Sequence, residues 1–534
     1  MLIRCRAWWV LLLGLISFQV SAKEEVVFCV TFKDKGTQSI ESARLSLSTR
    51  SLARRDRQKI GLTFSDIPIF QPYVEEISSL CGVHLLYTSK WLNACIVSTP
   101  DSSIFEQLIN TSFISSITPI GNISTQLSTQ SNKAKITGNA SYYGNAWTQT
   151  NLVRGDCLHD HGFRGQNMLI AVLDDGFYYV NSQPAFDSAF SNGRIVDTRN
   201  FVLGGTDVYS DFHTHGTEVF STISANLPNT FVGAAPAAQF ALYVTEDTQH
   251  EWPIEMYNMV AAMERADSIG ADVISSSTGY NTFDAPYQNQ NITAAQMDGK
   301  TTVAAIGVNT AAQKGILVVM TAGNEGSGGL LTPGDADSAI TVGNVDASKI
   351  PAGNSGYGPN AAAIIKPDIC ALGQPGFVIT TAQTPFGVSG TSIATPQVAG
   401  FAACLWQGLL SKTNSEIKQV ILKTSSLYPT PQMPQLGYGI PNFCNAYLTE
   451  DIPQILTETT SLVFPNPFST HLTLPISKGE LLQASLYDAT GKLTGTFLKK
   501  GATLELNTEA LTSGIYFCKI QGSRGIQSIK LIKY

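Results

Sequence analysis

The chain has 534 residues, 43% of them hydrophobic and 9% aromatic, which is enough to bury a large core in about three domains and too apolar for wholesale disorder. Its formal net charge is −7, from 34 basic and 41 acidic residues, and only 14% of positions are charged. It has no Lys/Arg-rich run, no Cys-x-x-Cys pair and no basic aromatic stripe, so a nucleic-acid partner is not expected.

The N-terminus sets Arg4 and Arg6 before an apolar run from Ala7 to Val20, then Ser21-Ala22 ahead of Lys23-Glu24-Glu25. This is the layout of a secretory signal peptide over residues 1–22. The eight cysteines beyond it, at 29, 81, 95, 157, 370, 404, 444 and 518, are scattered. They are too few for a disulfide framework and leave room for one or two bridges that the sequence does not assign.

From Val26 to about Ile120, short apolar runs such as Val26–Val30 and Cys95–Val97 alternate with two helical stretches, one over Ile40 to Lys59 carrying Arg50, Arg54, Arg55 and Arg57. The pattern reads as a small α+β domain over residues 23–121. A Ser/Thr/Asn/Gln-rich segment from Asn122 to Asn139 has little to bury and reads as a linker, residues 122–141. In the central block, residues 142–450, the runs Leu169–Leu173, Phe240–Val244, Asp272–Ser275 and Ile316–Met320 are separated by helical patterns over Ile254–Ile269 and Thr301–Lys314. Continuous apolar strands between helices predict a parallel sheet covered on both faces. Past Pro453 come turn residues and short alternating strands, an all-β tail over residues 455–534.

Functional groups of such sheets gather beyond the carboxyl ends of the strands. Asp174 ends the first run, placed to orient a histidine. His215 opens His215-Gly216-Thr217-Glu218-Val219, where Gly216 permits close approach and a helix begins. Ser392 stands in Gly390-Thr391-Ser392-Ile393-Ala394-Thr395-Pro396, ahead of a helical stretch from Gln397 to Leu410. A serine at a helix N-terminus faces unpaired N–H groups and the positive end of the dipole. Acyl transfer by serine needs an imidazole base and a carboxylate to hold its tautomer. Asn324, in Ala322-Gly323-Asn324-Glu325-Gly326 after another strand, can aim an amide at a developing oxyanion.

These motifs, together with Asp174-Asp175-Gly176, His213-Thr214-His215-Gly216-Thr217 and Ser277-Thr278-Gly279, resemble the subtilisin-like serine proteases over about 300 residues. The resemblance implies a subtilisin-like α/β fold and a secreted serine endopeptidase with Asp174 as orienter, His215 as base, Ser392 as nucleophile and Asn324 as oxyanion donor. It assigns Ser277, Thr278 and Gly279 to the binding of extended polypeptide substrates, requires no cofactor and leaves room for structural calcium. Two departures stand out: Asp175 puts a second carboxylate beside the first, and Thr278 stands where the family usually has Leu. The segments Thr245-Glu246-Asp247 and Met297-Asp298-Gly299-Lys300 resemble the Bacteroidetes branch.

The region from Val26 to Ile120, with Ser89-Lys90-Trp91-Leu92-Asn93-Ala94, looks like the inhibitory propeptide of such proteases, which makes the full chain a precursor inhibited by its own N-terminal domain. Phe464-Pro465-Asn466-Pro467-Phe468, Leu486–Lys492, Gly514-Ile515-Tyr516-Phe517 and Lys530-Leu531-Ile532-Lys533 look like the sorting domain of type IX secretion cargo. That resemblance implies an all-β sandwich, the secretion machinery as a partner, and passage to the cell surface or beyond.

Two other functions fit the sequence less well. An esterase or lipase would carry a Gly-x-Ser-x-Gly elbow and place Ser before Asp and His, and the chain does neither. A non-catalytic surface or adhesion protein on a protease fold would not need all four groups. His213 reads as a loop neighbour of the base, His159 and His161 as solvated loop residues without a third metal ligand, and Asp335 and Asp337 as turn or cap residues.

Overall fold

The computed structural model describes residues 25–534 apart from 109–110, 124–141, 211–212, 381–383, 452–464, 476–480, 501–502 and 523–524. The expected signal peptide and nearly all of the expected linker lie outside the described residues. The chain forms two compact units, residues 1–447 and 448–534.

The first unit begins with a four-stranded antiparallel sheet in the order His84–Ser89, Ala94–Thr99, Glu25–Phe32, Ile114–Ile123. Side chains alternate across a strand, and here both faces are covered. Phe28, Val30 and Phe32 pack with Val74, Ile77 and Phe105, while Val27, Cys29, Ile96 and Ile120 form a second cluster that meets Ile254 and Tyr257. The last strand runs through Asn122 and Ile123, two residues into the segment read as linker, because both pair with the edge of Glu25–Phe32.

The larger part of this unit is built on a seven-stranded sheet in the order Ile369–Gln374, Ile340–Asp346, Leu317–Thr321, Val273–Ser276, Leu169–Asp174, Gln239–Val244, Ile195–Asn200. Every neighbouring pair is parallel. Alternate residues of one strand feed two cores: Ile170 and Val172 point into one, Leu169, Ala171 and Leu173 into the other. The helices Ile254–Ile269 and Val303–Gln313 cover the second face, and the helix Thr391–Gly408, buried through Trp406, fills the first. Cys157 and Cys444 form the disulfide found among the described residues, which ties the start of this region to its end.

One expectation is overturned here. His159 is not a solvated loop residue: it lies in the short helix Asp156–Asp160 and is 3% exposed. Its ring contacts the Tyr143 hydroxyl at 3.0 Å and Ala234 O at 2.9 Å. Burial lowers its pKa to about 4, so it stays neutral.

In the second unit, a two-stranded sheet (His471–Pro475 with Thr503–Asn507) and a four-stranded sheet share one core of Phe468, Leu472, Leu486, Leu506, Tyr516 and Leu531. Alternation along the strands supplies that core, as a sandwich requires. Among the described residues, no helix is long and apolar enough to cross a membrane.

Candidate active site

Asp174 is the last residue of the strand Leu169–Asp174 and is fully buried. His215 is the first residue of the helix His215–Ser224. The two meet because residue 216 is glycine: a Cβ there would stand 2.2 Å from Gly176 O and 3.0 Å from Asp174 Cβ. With that gap closed, His215 Nδ1 donates to Asp174 Oδ1 at 2.6 Å. The hydrogen bond fixes the tautomer and leaves Nε2 as the free ring nitrogen.

Asp175 does not compete for this role. Its Oδ1 accepts the Gly216 N–H at 2.9 Å, and its own N–H donates to Asp174 Oδ1 at 2.9 Å. Burial and the neighbouring Asp174 charge raise its pKa to about 7. For His215, burial works against the charged ring, but the Asp174 carboxylate outweighs it, with Asp175 and Glu218 behind, and the imidazole pKa is raised above its usual value. Asp174, Asp175 and His215 form the one trio of metal-binding side chains close together among the described residues. Asp335 belongs to no such trio; its Oδ2 accepts the Gly299 N–H at 2.7 Å.

Ser392 is the second residue of the helix Thr391–Gly408 and is 8% exposed. A helix leaves its first N–H groups unpaired. The Thr391 N–H is taken by Asn324 Oδ1 at 3.0 Å, and the Thr391 hydroxyl approaches the same oxygen at 3.1 Å. The backbone N–H, which can only donate, settles the amide's orientation, so Nδ2 turns the other way. Ser392 Oγ and Asn324 Nδ2 then lie 3.0 and 3.7 Å from the place a Cβ on Gly390 would occupy. The Ser392 hydroxyl and the Asn324 amide therefore flank one small space that glycine keeps open. Among the described residues the Ser392 hydroxyl makes no hydrogen bond, to His215 Nε2 or elsewhere, and such contacts commonly tighten only with substrate bound.

Ser277, Thr278 and Gly279 follow the strand Val273–Ser276 directly. The Ser277 hydroxyl donates to Ser392 O at 2.9 Å, which ties the Ser392 backbone to this segment. Thr278 Oγ1 lies 3.0 Å from Ser276 Oγ. Gly279 is glycine for a packing reason, since a Cβ would stand 2.8 Å from Leu331 Cβ. His213 contacts the Thr248 hydroxyl, away from Asp174.

Thr391 is the residue that motif reading passed over. Its hydroxyl lies 3.1 Å from Asn324 Oδ1 and 3.2 Å from Gly323 O and accepts from Thr321 Oγ1 at 2.7 Å, so it ties the Gly323-Asn324 loop to the start of the helix Thr391–Gly408. Its position directly before the serine was the available signal. On the N-terminal domain, the strand Ile114–Ile123 lies against the same unit: Tyr287 donates to Gly121 O at 2.7 Å and Gln290 Nε2 to Pro119 O at 3.0 Å.

Comparison with known proteins gives three matches along the chain. Residues 165–443 match the subtilase family, 27–137 the Bacteroidota propeptide domain of S8 peptidases, and 462–534 the secretion system C-terminal sorting domain. Subtilisin NAT of Bacillus subtilis subsp. natto is 30% identical over 284 residues, 51% of this chain and 64% of that protein, so the alignment spans less than two thirds of that relative. Subtilisin of Bacillus pumilus is also 30% identical over 284 residues, which cover 89% of its length. Among solved structures, the epidermin leader peptide processing serine protease of Staphylococcus aureus superposes with a TM-score of 0.56 at 19% identity, covering 80% of this chain and 99% of that one. At that identity the likeness speaks for the fold.

Proposed function

The chain belongs to the subtilase family, and from that premise we propose that it is a secreted serine endopeptidase, made as a precursor, that cleaves peptide bonds through an acyl-enzyme on Ser392. Two observations carry this reading: the Asp174–His215 hydrogen bond, and a space flanked by Ser392 Oγ and Asn324 Nδ2 at the start of a helix that packs against the helix His215–Ser224.

The proposed steps give each of these groups one role. An extended peptide lies along the segment Ser277-Thr278-Gly279 through backbone hydrogen bonds, so side-chain preference is broad. His215 Nε2 takes the Ser392 proton as Oγ attacks the carbonyl carbon. Asp174 holds the ring and stabilises the imidazolium that forms. The carbonyl oxygen gains charge in the transition state, where Asn324 Nδ2 and the Ser392 N–H at the helix start donate to it. His215 then passes its proton to the leaving amine, and water repeats the sequence on the acyl-enzyme.

Residues 25–123 act as the precursor's inhibitor, joined to the peptidase region through a polar linker that keeps them at high local concentration. The sorting domain directs export after the N-terminal signal has been removed.

The test is Ser392→Ala. Wild-type protein is expected to cut its own linker and, once residues 25–123 have left, to react with a covalent serine-hydrolase probe and hydrolyse an unfolded polypeptide, and the variant to do none of these. Equal labelling and hydrolysis by the variant would refute the mechanism. Failure of the wild-type protein to react after its inhibitor has left would favour a non-catalytic surface protein on this fold.

A further inference from the structure

The helix Thr49–Gln58 of the propeptide carries Arg50, Arg54, Arg55 and Arg57. Four cations within eight positions repel one another and ordinarily face water. Arg54 and Arg55 are instead 2% and 1% exposed. They reach across to the C-terminal ends of two helices in the peptidase region. Arg54 pairs with Asp267 and donates to Ala271 O and, at 3.3 Å, to Lys314 O. Arg55 Nη2 bridges Asp267 Oδ2 at 2.6 Å and Asp66 Oδ1 at 2.9 Å. At the rim, Arg50 pairs with Asp272 and donates to Gly270 O at 2.9 Å, and Arg57 lies 3.4 Å from Asp272 Oδ1. Gln58 donates to Gly315 O at 2.7 Å, and Lys314 Nζ returns the contact to Asp66 at 2.8 Å.

The receiving surface suits a guanidinium and little else. The last turn of the helix Ile254–Ile269 contains no basic residue, and Asp267 stands there although a carboxylate at a helix C-terminus opposes the dipole. Carbonyls ending this helix and Val303–Gln313 have no partner within their helices. Arginine, with five donors in a planar fork, meets carboxylate and carbonyls at once. This surface is also remote from the catalytic groups. Asp272 precedes the strand Val273–Ser276 and Gly315 precedes Leu317–Thr321, whereas Ser277 and Asn324 follow those strands. Four to five residues at about 3.3 Å each separate the two ends by about 15 Å.

We propose that this arginine anchor governs release of the propeptide: it keeps the inhibitor seated after the linker is cut, and the vacated pocket of Asp267, Asp272 and helix-end carbonyls takes back the same arginine helix. The proposal rests on the reading of residues 25–123 as the inhibitor of this peptidase.

The experiment uses the full chain with Ser392→Ala and a recognition sequence for a site-specific protease placed within residues 124–139, so that the cut does not depend on the chain's own activity. After cleavage, propeptide release is followed on dilution by size-exclusion chromatography. The cut parent is expected to co-elute with its propeptide. Arg54→Gln with Arg55→Gln strands Asp267 in a buried pocket, and release at least about 100-fold faster is expected. Should that variant fail to fold, Arg50→Gln with Arg57→Gln, at positions about a third exposed, is expected to release about tenfold faster. Tyr287→Phe, which loses the bond to Gly121 O, should stay within about threefold of the parent. Departure of the parent propeptide as soon as the linker is cut, or equal release from parent and arginine variants, would overturn the proposal. With Ser392 restored, absence of peptide hydrolysis after release would refute the peptidase reading and leave the anchor result standing.

Discussion

Replacing Asp175 by Asn should move the acid limb of the pH–activity profile to lower pH without lowering its plateau. The amide oxygen of Asn can still accept the Gly216 N–H that Asp175 Oδ1 accepts at 2.9 Å, so the backbone geometry around His215 is kept. What is lost is a negative charge. Potential ligand atoms of Asp174, Asp175 and His215 all lie within 4.8 Å of one another. A full charge at that range, in an effective dielectric of about 20, is worth about 3.5 kcal/mol, or about 2.5 pH units. Two features reduce it. The pKa of Asp175 is raised to about 7, so near neutrality half of the population is already uncharged, and the His215 side chain is 37% exposed and partly screened by water. An effect of roughly one pH unit remains.

The sign follows from the base's role. Acidic neighbours hold the proton on His215 and raise its pKa; only the neutral ring accepts the Ser392 proton, so activity is lost as pH falls through that raised value. Removing one acidic neighbour lowers it. The assay is kcat/KM for a peptide from pH 5 to 10 on the matured enzyme, which reports groups of the free enzyme. A limb that stays in place or moves to higher pH would refute the reasoning, as would a plateau reduced more than tenfold.

Asn324→Ala should lower kcat by about 10²–10³ with KM little changed, a magnitude known from the oxyanion-hole asparagine of subtilisin; a loss confined to KM would contradict its assignment. Gly216→Ala places a methyl 2.2 Å from a backbone oxygen that cannot step aside, and a fall in kcat of at least about 10² is expected while circular dichroism stays native; near-normal activity would mean the helix can shift without cost. Deleting residues 460–534 should leave peptidase activity intact and strand the protein in the periplasm, as read by cell fractionation. Export of the truncated chain would separate the tail from sorting.

The strands and helices of the peptidase region were legible from the sequence because their signals are local. Leu169–Leu173 and Ile316–Met320 are continuous apolar runs, and a strand buried on both faces leaves that mark in any context. The four groups at strand ends were legible for a similar reason: each sits in a short motif whose glycine or helix start states what the backbone must do there. The end of the run and the resemblance both point to Asp174, but what the adjacent carboxylate does was beyond such signals. Asp174 faces His215 and Asp175 holds the Gly216 N–H because the strand delivers successive side chains to opposite sides, and only the position of the helix His215–Ser224 decides which side is which. The orientation of the Asn324 amide likewise depends on Thr391, 67 residues away in sequence. The arginines of Thr49–Gln58 read as one charged helical stretch, and nothing local distinguishes a solvated face from a buried one. Their partners, Asp267 and the carbonyls of Ala271 and Lys314, lie more than 200 residues further along the chain. His159 was misread for the same reason, since its environment is made by Tyr143 and Ala234. Sequence by itself determined which runs form the sheet and which short motifs follow them, because those follow from backbone periodicity and short-range sterics; tertiary structure alone decided which charges pair, because burial and electrostatic pairing are set by whatever the fold brings within a few ångströms.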